Sequence, residues 1–304
     1  MGKIFRMTLM AAALAMSVSA HAAGGFVVLP DFDATAAPTS LNPVNTVPKL
    51  TKSGAANNAA DALFLGSFTG GADVYAKVPT TMTLLASRTT AVLPFTNAAG
   101  TPLASMGSFY DAVYRDTSDG NLVFASRLEL LPTSGVEIND IFRTGFGAFN
   151  FDDGASVSAA WSAATSSDFR LRSATRSAQG LFKIFSPTTG VQTGVTPRTY
   201  DADVVDLSTD TSAPESNPVS GWYFVKVADS RANTTDHILG YSLVDNAVGL
   251  YRGNDEPNGA VTTLWLSGYA PTITAAVPEP AEYALFLAGL GVLGFVTRRR
   301  IAKR

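Results

Sequence analysis

Alternation of apolar and polar residues with period two recurs along the middle of this chain, and it restricts the fold more than any other feature. Ala72, Val74, Ala76 and Val78 alternate with Asp73, Tyr75 and Lys77, and Leu122, Phe124, Leu128 and Leu130 alternate with Asn121, Arg127 and Glu129. Such a pattern sends one set of side chains to each face of an extended strand. Similar runs occupy Leu181 to Phe185, Gly221 to Ala228, Ile238 to Val244 and Val261 to Ser267. Asp119-Gly120, Asp152-Asp153-Gly154 and Asn258-Gly259 fall between runs as turn formers, because glycine accepts positive φ. Only Glu137 to Arg143 has apolar residues at helical spacing, Ile138 with Ile141 and Phe142, and it reads as a short helix or an irregular crossover. Many short strands, 26 glycines and almost no helix signal predict an all-β body, mainly an antiparallel β-sandwich or jelly-roll-like. No repeat of fixed period appears, which argues against a solenoid or propeller.

The ends of the chain read differently. Lys3 and Arg6 precede the apolar run Met7 to Val18, and Ala20 and Ala22 are the small residues that signal peptidase requires at minus three and minus one. Residues 1–22 are therefore expected to be a signal peptide cut after Ala22. Residues 23–60, rich in Pro, Ala, Thr and Asn with little periodicity, read as an irregular N-terminal arm, and residues 61–276 as the mainly β extracytoplasmic domain. Within that domain, Leu207 to Ser220 reads as a loop, either a surface excursion or a subdomain break near 207–220.

Residues 277–304 form a tail of three parts. Val277-Pro278-Glu279-Pro280 fixes two φ angles and removes two amide donors, so the chain is presented as an extended segment. An apolar segment follows over 281–296, about 24 Å long as a helix and somewhat short of a roughly 30 Å hydrocarbon core. Arg298, Arg299, Arg300, Lys303 and Arg304 close the chain as a basic stop-transfer cluster, and by the positive-inside rule they hold this end in the cytoplasm. The order resembles the PEP-CTERM signal of Gram-negative bacteria, whose members are exported, held briefly in the inner membrane and processed by the membrane-embedded peptidase exosortase. The resemblance is confined to about a tenth of the chain. It implies cleavage at or near Pro278 to Pro280, and a surface or extracellular-matrix location in organisms that make exopolysaccharide and biofilm.

Charge and composition exclude several function classes. The chain has 22 basic and 25 acidic residues; with the signal's two cations, the tail's five and Glu282 set aside, the middle keeps 15 and 24. An acidic body repels nucleic acid and anionic lipid, so no nucleic-acid partner is expected. The absence of cysteine removes disulfides, thiolate zinc sites and thiol nucleophiles. Beyond His21 of the signal only His237 remains, so no multi-histidine metal site can form. Calcium, which takes carboxylate and carbonyl oxygens, is the one cofactor the composition admits.

Four constellations carry chemistry, each beside a plainer alternative. Glu129, Glu137, Asp152 and Asp153 are acids of the kind a glycan-active hydrolase uses in pairs, or solvated strand and turn residues. His237 begins a strand with no G-x-S-x-G elbow anywhere, so a serine hydrolase has no support and the chain is not expected to be an enzyme. Asp201, Asp203 and Asp206 lie close together on one segment, with Asp210 following, as calcium ligands or as a solvated loop. Arg170, Arg172 and Arg176 share one parity if Asp168 to Ser177 is a strand, to grip an acidic polysaccharide or to pair with the body's own acids. Trp222, Tyr223, Tyr241, Tyr251, Trp265 and Tyr269 are spread over the later strands, as the glycan platform of a carbohydrate-binding module or as core.

Overall fold

The computed structural model describes residues 25–29, 63–92, 105–149, 154–165, 167–178, 182–185, 192–196, 200–230, 238–252 and 263–274, with 288 and 290 in the tail. The expected signal peptide, most of the arm, Asp152, Asp153, His237, the Asn258-Gly259 turn and the sorting tail from Val277 lie outside them. Among the described residues no helix is long and apolar enough to cross a membrane.

Among the described residues, fourteen strands account for nearly all regular structure. They are β1 (Val27–Val28), β2 (Phe64–Ser67), β3 (Met82–Val92), β4 (Gly107–Asp116), β5 (Leu122–Leu130), β6 (Glu137–Arg143) and β7 (Ala155–Ala163), followed by β8 (Ser173–Ala178), β9 (Phe182–Phe185), β10 (Gln192–Thr196), β11 (Tyr200–Ser212), β12 (Trp222–Asp229), β13 (Ile238–Tyr251) and β14 (Thr263–Thr274). A seven-stranded sheet runs β1-β7-β12-β5-β4-β3, with β2 also on β7, and a five-stranded sheet runs β14-β13-β6-β11-β8. β9 and β10 make a separate ladder. Every pairing is antiparallel except that of β2 with β7. The expected all-β class is what the chain adopts.

Alternation explains the core. Phe109 and Val113 of β4, Phe124 and Leu128 of β5, and Trp161 of β7 join Ile141 of β6, Val205 and Leu207 of β11 and Leu250 of β13 in one buried cluster that draws on both sheets. The opposite face of the seven-stranded sheet is apolar as well. Tyr114, Ala125, Trp222 and Phe224 on that face are fully buried, with Val74, Tyr75 and Phe26 packed on them. The cover is the segment predicted as a strand from Ala72 to Val78. It forms instead a single 3-10 turn over Val74–Ala76, because the Asp73 carboxylate caps it by accepting from the Tyr75 amide at 2.9 Å. Trp222 Nε1 donates to the Val74 carbonyl at 3.2 Å and Tyr114 Oη to that of Tyr75 at 2.9 Å, which fixes the turn on the sheet.

Two other expectations are corrected. Glu137 to Arg143 is neither helix nor crossover but strand β6, at the centre of the five-stranded sheet. The ladder with β11 slips between Ser208 and Thr211, and Ile138 and Ile141 on either side of the slip both reach the core, so a three-residue spacing arises within a strand. Leu207 to Ser220 is also not a loop throughout, since Leu207 to Ser212 is the end of β11. The polar residues that made it look like a loop lie on a strand whose alternate positions, Leu207, Thr209 and Thr211, are buried, with the Thr209 and Thr211 hydroxyls hydrogen-bonded to each other.

Charges are buried in pairs. Lys226 of β12 reaches Asp116 at 2.6 Å and Asp119 at 2.8 Å, with its Nζ 4.2 Å from the centre of the Phe26 ring. Burial works to raise the Asp116 pKa, but the hydrogen bonds from Lys226 and Ser118 outweigh it and hold the carboxyl below the usual carboxylate range. With the folded value below the unfolded one, the stability this group contributes is present above about pH 4 and is lost as pH falls through the folded value. The urea midpoint is accordingly expected to fall on acidification below about pH 4, and less so in Lys226→Met. An equal fall in both proteins would count against this assignment.

Candidate functional site

On the five-stranded sheet, three acids from separate elements converge. Glu137 opens β6, Asp210 sits in the slipped part of β11, and Glu215 lies in the turn after β11, where the next residue, Ser216, has φ 63°. Their carboxylate oxygens all lie within 4.8 Å of one another. Mutual repulsion is offset locally, because Arg172 Nη1 is 2.9 Å from Asp210 Oδ2 and Asn139 Nδ2 donates to Glu137 Oε1 at 2.6 Å. The arrangement has the oxygen donors of a hard-cation site and already contains a cation of its own, Arg172.

Of the acids expected to hold calcium, Asp203 has two backbone partners. Asp203 accepts from the amides of Gly145 and Gly147 at 2.9 and 3.0 Å and so ties β11 to the chain leaving β6. Asp206 is half-buried within β11, and the Asp201 side chain lies outside the described residues. The predicted arginine stripe is dispersed too. The strand begins only at Ser173, and Arg176 is buried, donating to the carbonyls of Phe149 and, at 2.7 Å, Phe146. Arg172 pairs with Asp210, while Arg170 is half-buried and offers its carbonyl to Tyr223 Oη at 3.1 Å.

The other candidates separate in the same way. Glu129 belongs to the seven-stranded sheet, where Tyr110 Oη donates to it at 3.1 Å, and Glu137 belongs to the five-stranded one. Burial and the neighbouring Glu129 charge both raise the Tyr110 pKa. Of the aromatic residues, Trp222, Tyr223 and Tyr251 are buried, while Tyr241 and Trp265 are each 36% exposed. Trp265 lies against the strand at Gly249, where an added Cβ would come within 2.9 Å of the indole, and its ring centre is 6.4 Å from that of Phe142. A glycine inside a strand marks this kind of close approach, and it is the signal by which the shelf could have been found from sequence.

A second surface is apolar. Leu84 and Leu85 of β3 and Tyr241, Leu243 and Val244 of β13 are all more than a third exposed, and Tyr241 Oη meets the Leu85 carbonyl at 3.5 Å. Where β5 and β7 begin and β12 ends, Asn121, Gly154, Ser156, Ala228, Asp229 and Ser230 line an open pocket of about 410 Å³. No cation or histidine is among its lining residues.

The body is thus an antiparallel β-sandwich, and the tail carries a separate signal. Residues 276–300 match the PEP-CTERM protein-sorting motif. The motif marks an exported, membrane-transiting protein that exosortase processes. No curated protein and no solved structure matches the chain.

Proposed function

We propose that this protein is carried to the cell surface or extracellular matrix and works there as a structural or interaction protein associated with exopolysaccharide and biofilm. The signal peptide delivers it to signal peptidase, and the tail anchors it transiently in the inner membrane with the body in the periplasm until exosortase releases it. The observation that carries this reading is the sorting motif at 276–300, set behind an all-β body. Support comes from the exposed apolar side chains of Leu84, Leu85, Leu243 and Val244, which suit contact with other molecules. A carbohydrate-binding module is the second reading, favoured by the partly open Trp265 ring on its glycine shelf, because aromatic faces stack on sugars.

Replacing Pro278, Glu279 and Pro280 together with alanine tests the route. The extended turn and the basic-ended apolar segment are separate devices, so export should continue while the full-length chain accumulates in the inner membrane. Fractionation that recovers the same shortened, released product from the variant would remove the motif as the processing signal.

A further inference from the structure

We infer that the short strand β1 can be donated to the β7 edge of a second copy of this chain, linking copies head to tail. The inference goes beyond the surface role and does not depend on it. The outer edge of β7 is completed by two brief pieces of chain. Leu29 donates to the Val157 carbonyl at 2.8 Å in continuation of β1, and the Trp161 amide donates to the Leu63 carbonyl at 2.8 Å just before β2. β7 is buried almost throughout, so its edge has to be filled.

The plug and the groove are specific to each other. Val27 and Val28 pair with Ala159 and Ser158, Leu29 is 1% exposed in the core, and Phe26 packs against Phe224 with ring centres 6.4 Å apart and lies beneath Lys226 Nζ. Expected cleavage after Ala22 leaves this plug as a chain end, which can enter a neighbour's groove without threading.

The length of the connection points to a second copy as the occupant. Leu29 and Leu63 dock four residues apart along β7, roughly 13 Å at about 3.3 Å per residue. The chain between them is residues 30–62, which reaches about 110 Å when fully extended. A handful of residues would close the gap, so the linker has length to spare for reaching another molecule. A donor at one site and an acceptor at another make a heterologous contact, which propagates as a chain or closes as a ring. Pairing between copies rises with their concentration by mass action, so exchange is expected where copies are crowded.

The absence of cysteine makes the test direct. Val28 and Ser158 are opposite each other, and the Leu29–Val157 bond makes theirs a non-hydrogen-bonded pair, the closer kind, suited to a disulfide. The full chain carrying V28C and S158C is produced at high density in cells that export it, then run without reductant. A ladder of multimers that collapses on reduction is expected, with peptides containing positions 28 and 158 joined between differently tagged copies. An exclusively intramolecular bridge, no bridge, or 28-to-28 links as abundant as 28-to-158 links would each overturn the inference. Deleting residues 34–57 in the same background keeps the internal path and shortens the reach, so the ladder should fade while the intramolecular bridge grows. An undiminished ladder would show that the links are collisional.

Discussion

Arg143→Met is expected to destabilise the protein by about 3–5 kcal/mol, read as a lower urea midpoint, because it breaks a fully buried ion pair on one side only. Arg143 of β6 crosses the space between the sheets. Its Nη1 donates to Asp111 Oδ1 at 2.9 Å and to Ser126 Oγ at 2.6 Å, and its Nη2 donates to the Tyr269 carbonyl at 2.5 Å. Asp111 Oδ2 in turn accepts from the Tyr269 amide at 2.6 Å. Neither charged side chain is exposed at all, and burial raises the Asp111 pKa against the opposing pull of Arg143. Four strands, β4, β5, β6 and β14, are thereby pinned through one guanidinium. Without Arg143 the Asp111 carboxylate stays in the core with the Tyr269 amide as a hydrogen-bond partner and the Arg88 charge across the β3–β4 ladder. The double variant Arg143→Met with Asp111→Leu should recover part of the loss but not all, since the Tyr269 amide then lacks its acceptor, at about 1–3 kcal/mol. A single variant no less stable than wild type would show that the sheets are held by apolar burial alone.

Legibility in the sequence followed how local each interaction is. The fold class was readable because in β5 and β12 the core face is set by residues two apart, such as Leu122 and Phe124 or Tyr223, Val225 and Val227. The tail was readable because a sorting signal is linear. Ala72 to Val78 misled because a side chain outside the alternation, that of Asp73, hydrogen-bonds the backbone and makes a turn from a strand-like pattern. β6 misled because its core positions depend on a slip in a neighbouring strand 70 residues away. Arg127 and Asp168 are 41 residues apart and bind each other through two contacts, at 2.5 and 3.0 Å, a pairing no local pattern announces. The cluster of Glu137, Asp210 and Glu215 was hidden for the same reason, although Glu137 and Asp210 were each visible singly as acids of interest.

The arginines show the limit most directly. Parity along Asp168 to Ser177 suggested one exposed stripe, yet the strand starts at Ser173, and burial of Arg176 is compensated by carbonyls of the Phe146 to Phe149 segment. Parity sorts side chains into two faces, but only the packing of the other sheet and its connections decides which face meets water. Tail and body therefore differ in kind: the sorting motif is legible as linear sequence, whereas the faces of the body exist only after folding.

Gly107→Ala is expected to cost about 4 kcal/mol or to prevent folding, whereas Gly120→Ala should cost about 1–2 kcal/mol. Both glycines have positive φ, 149° and 77°, so both substitutions carry backbone strain. Their surroundings differ. A Cβ at Gly120, in the turn between β4 and β5, meets nothing within 4 Å. At Gly107 it would stand 2.0 Å from the Glu129 carbonyl oxygen and 2.8 Å from Leu130 Cα, both backbone atoms that no rotamer change can move. Relief requires the start of β4 to leave the end of β5, which breaks the 2.7 Å bond from the Leu131 amide to the Met106 carbonyl and uncovers Met106, now 1% exposed. Denaturant midpoints of the two variants measured side by side decide the matter. Equal shifts would mean that φ strain alone sets the cost and that the β4–β5 junction yields more easily than its contacts imply.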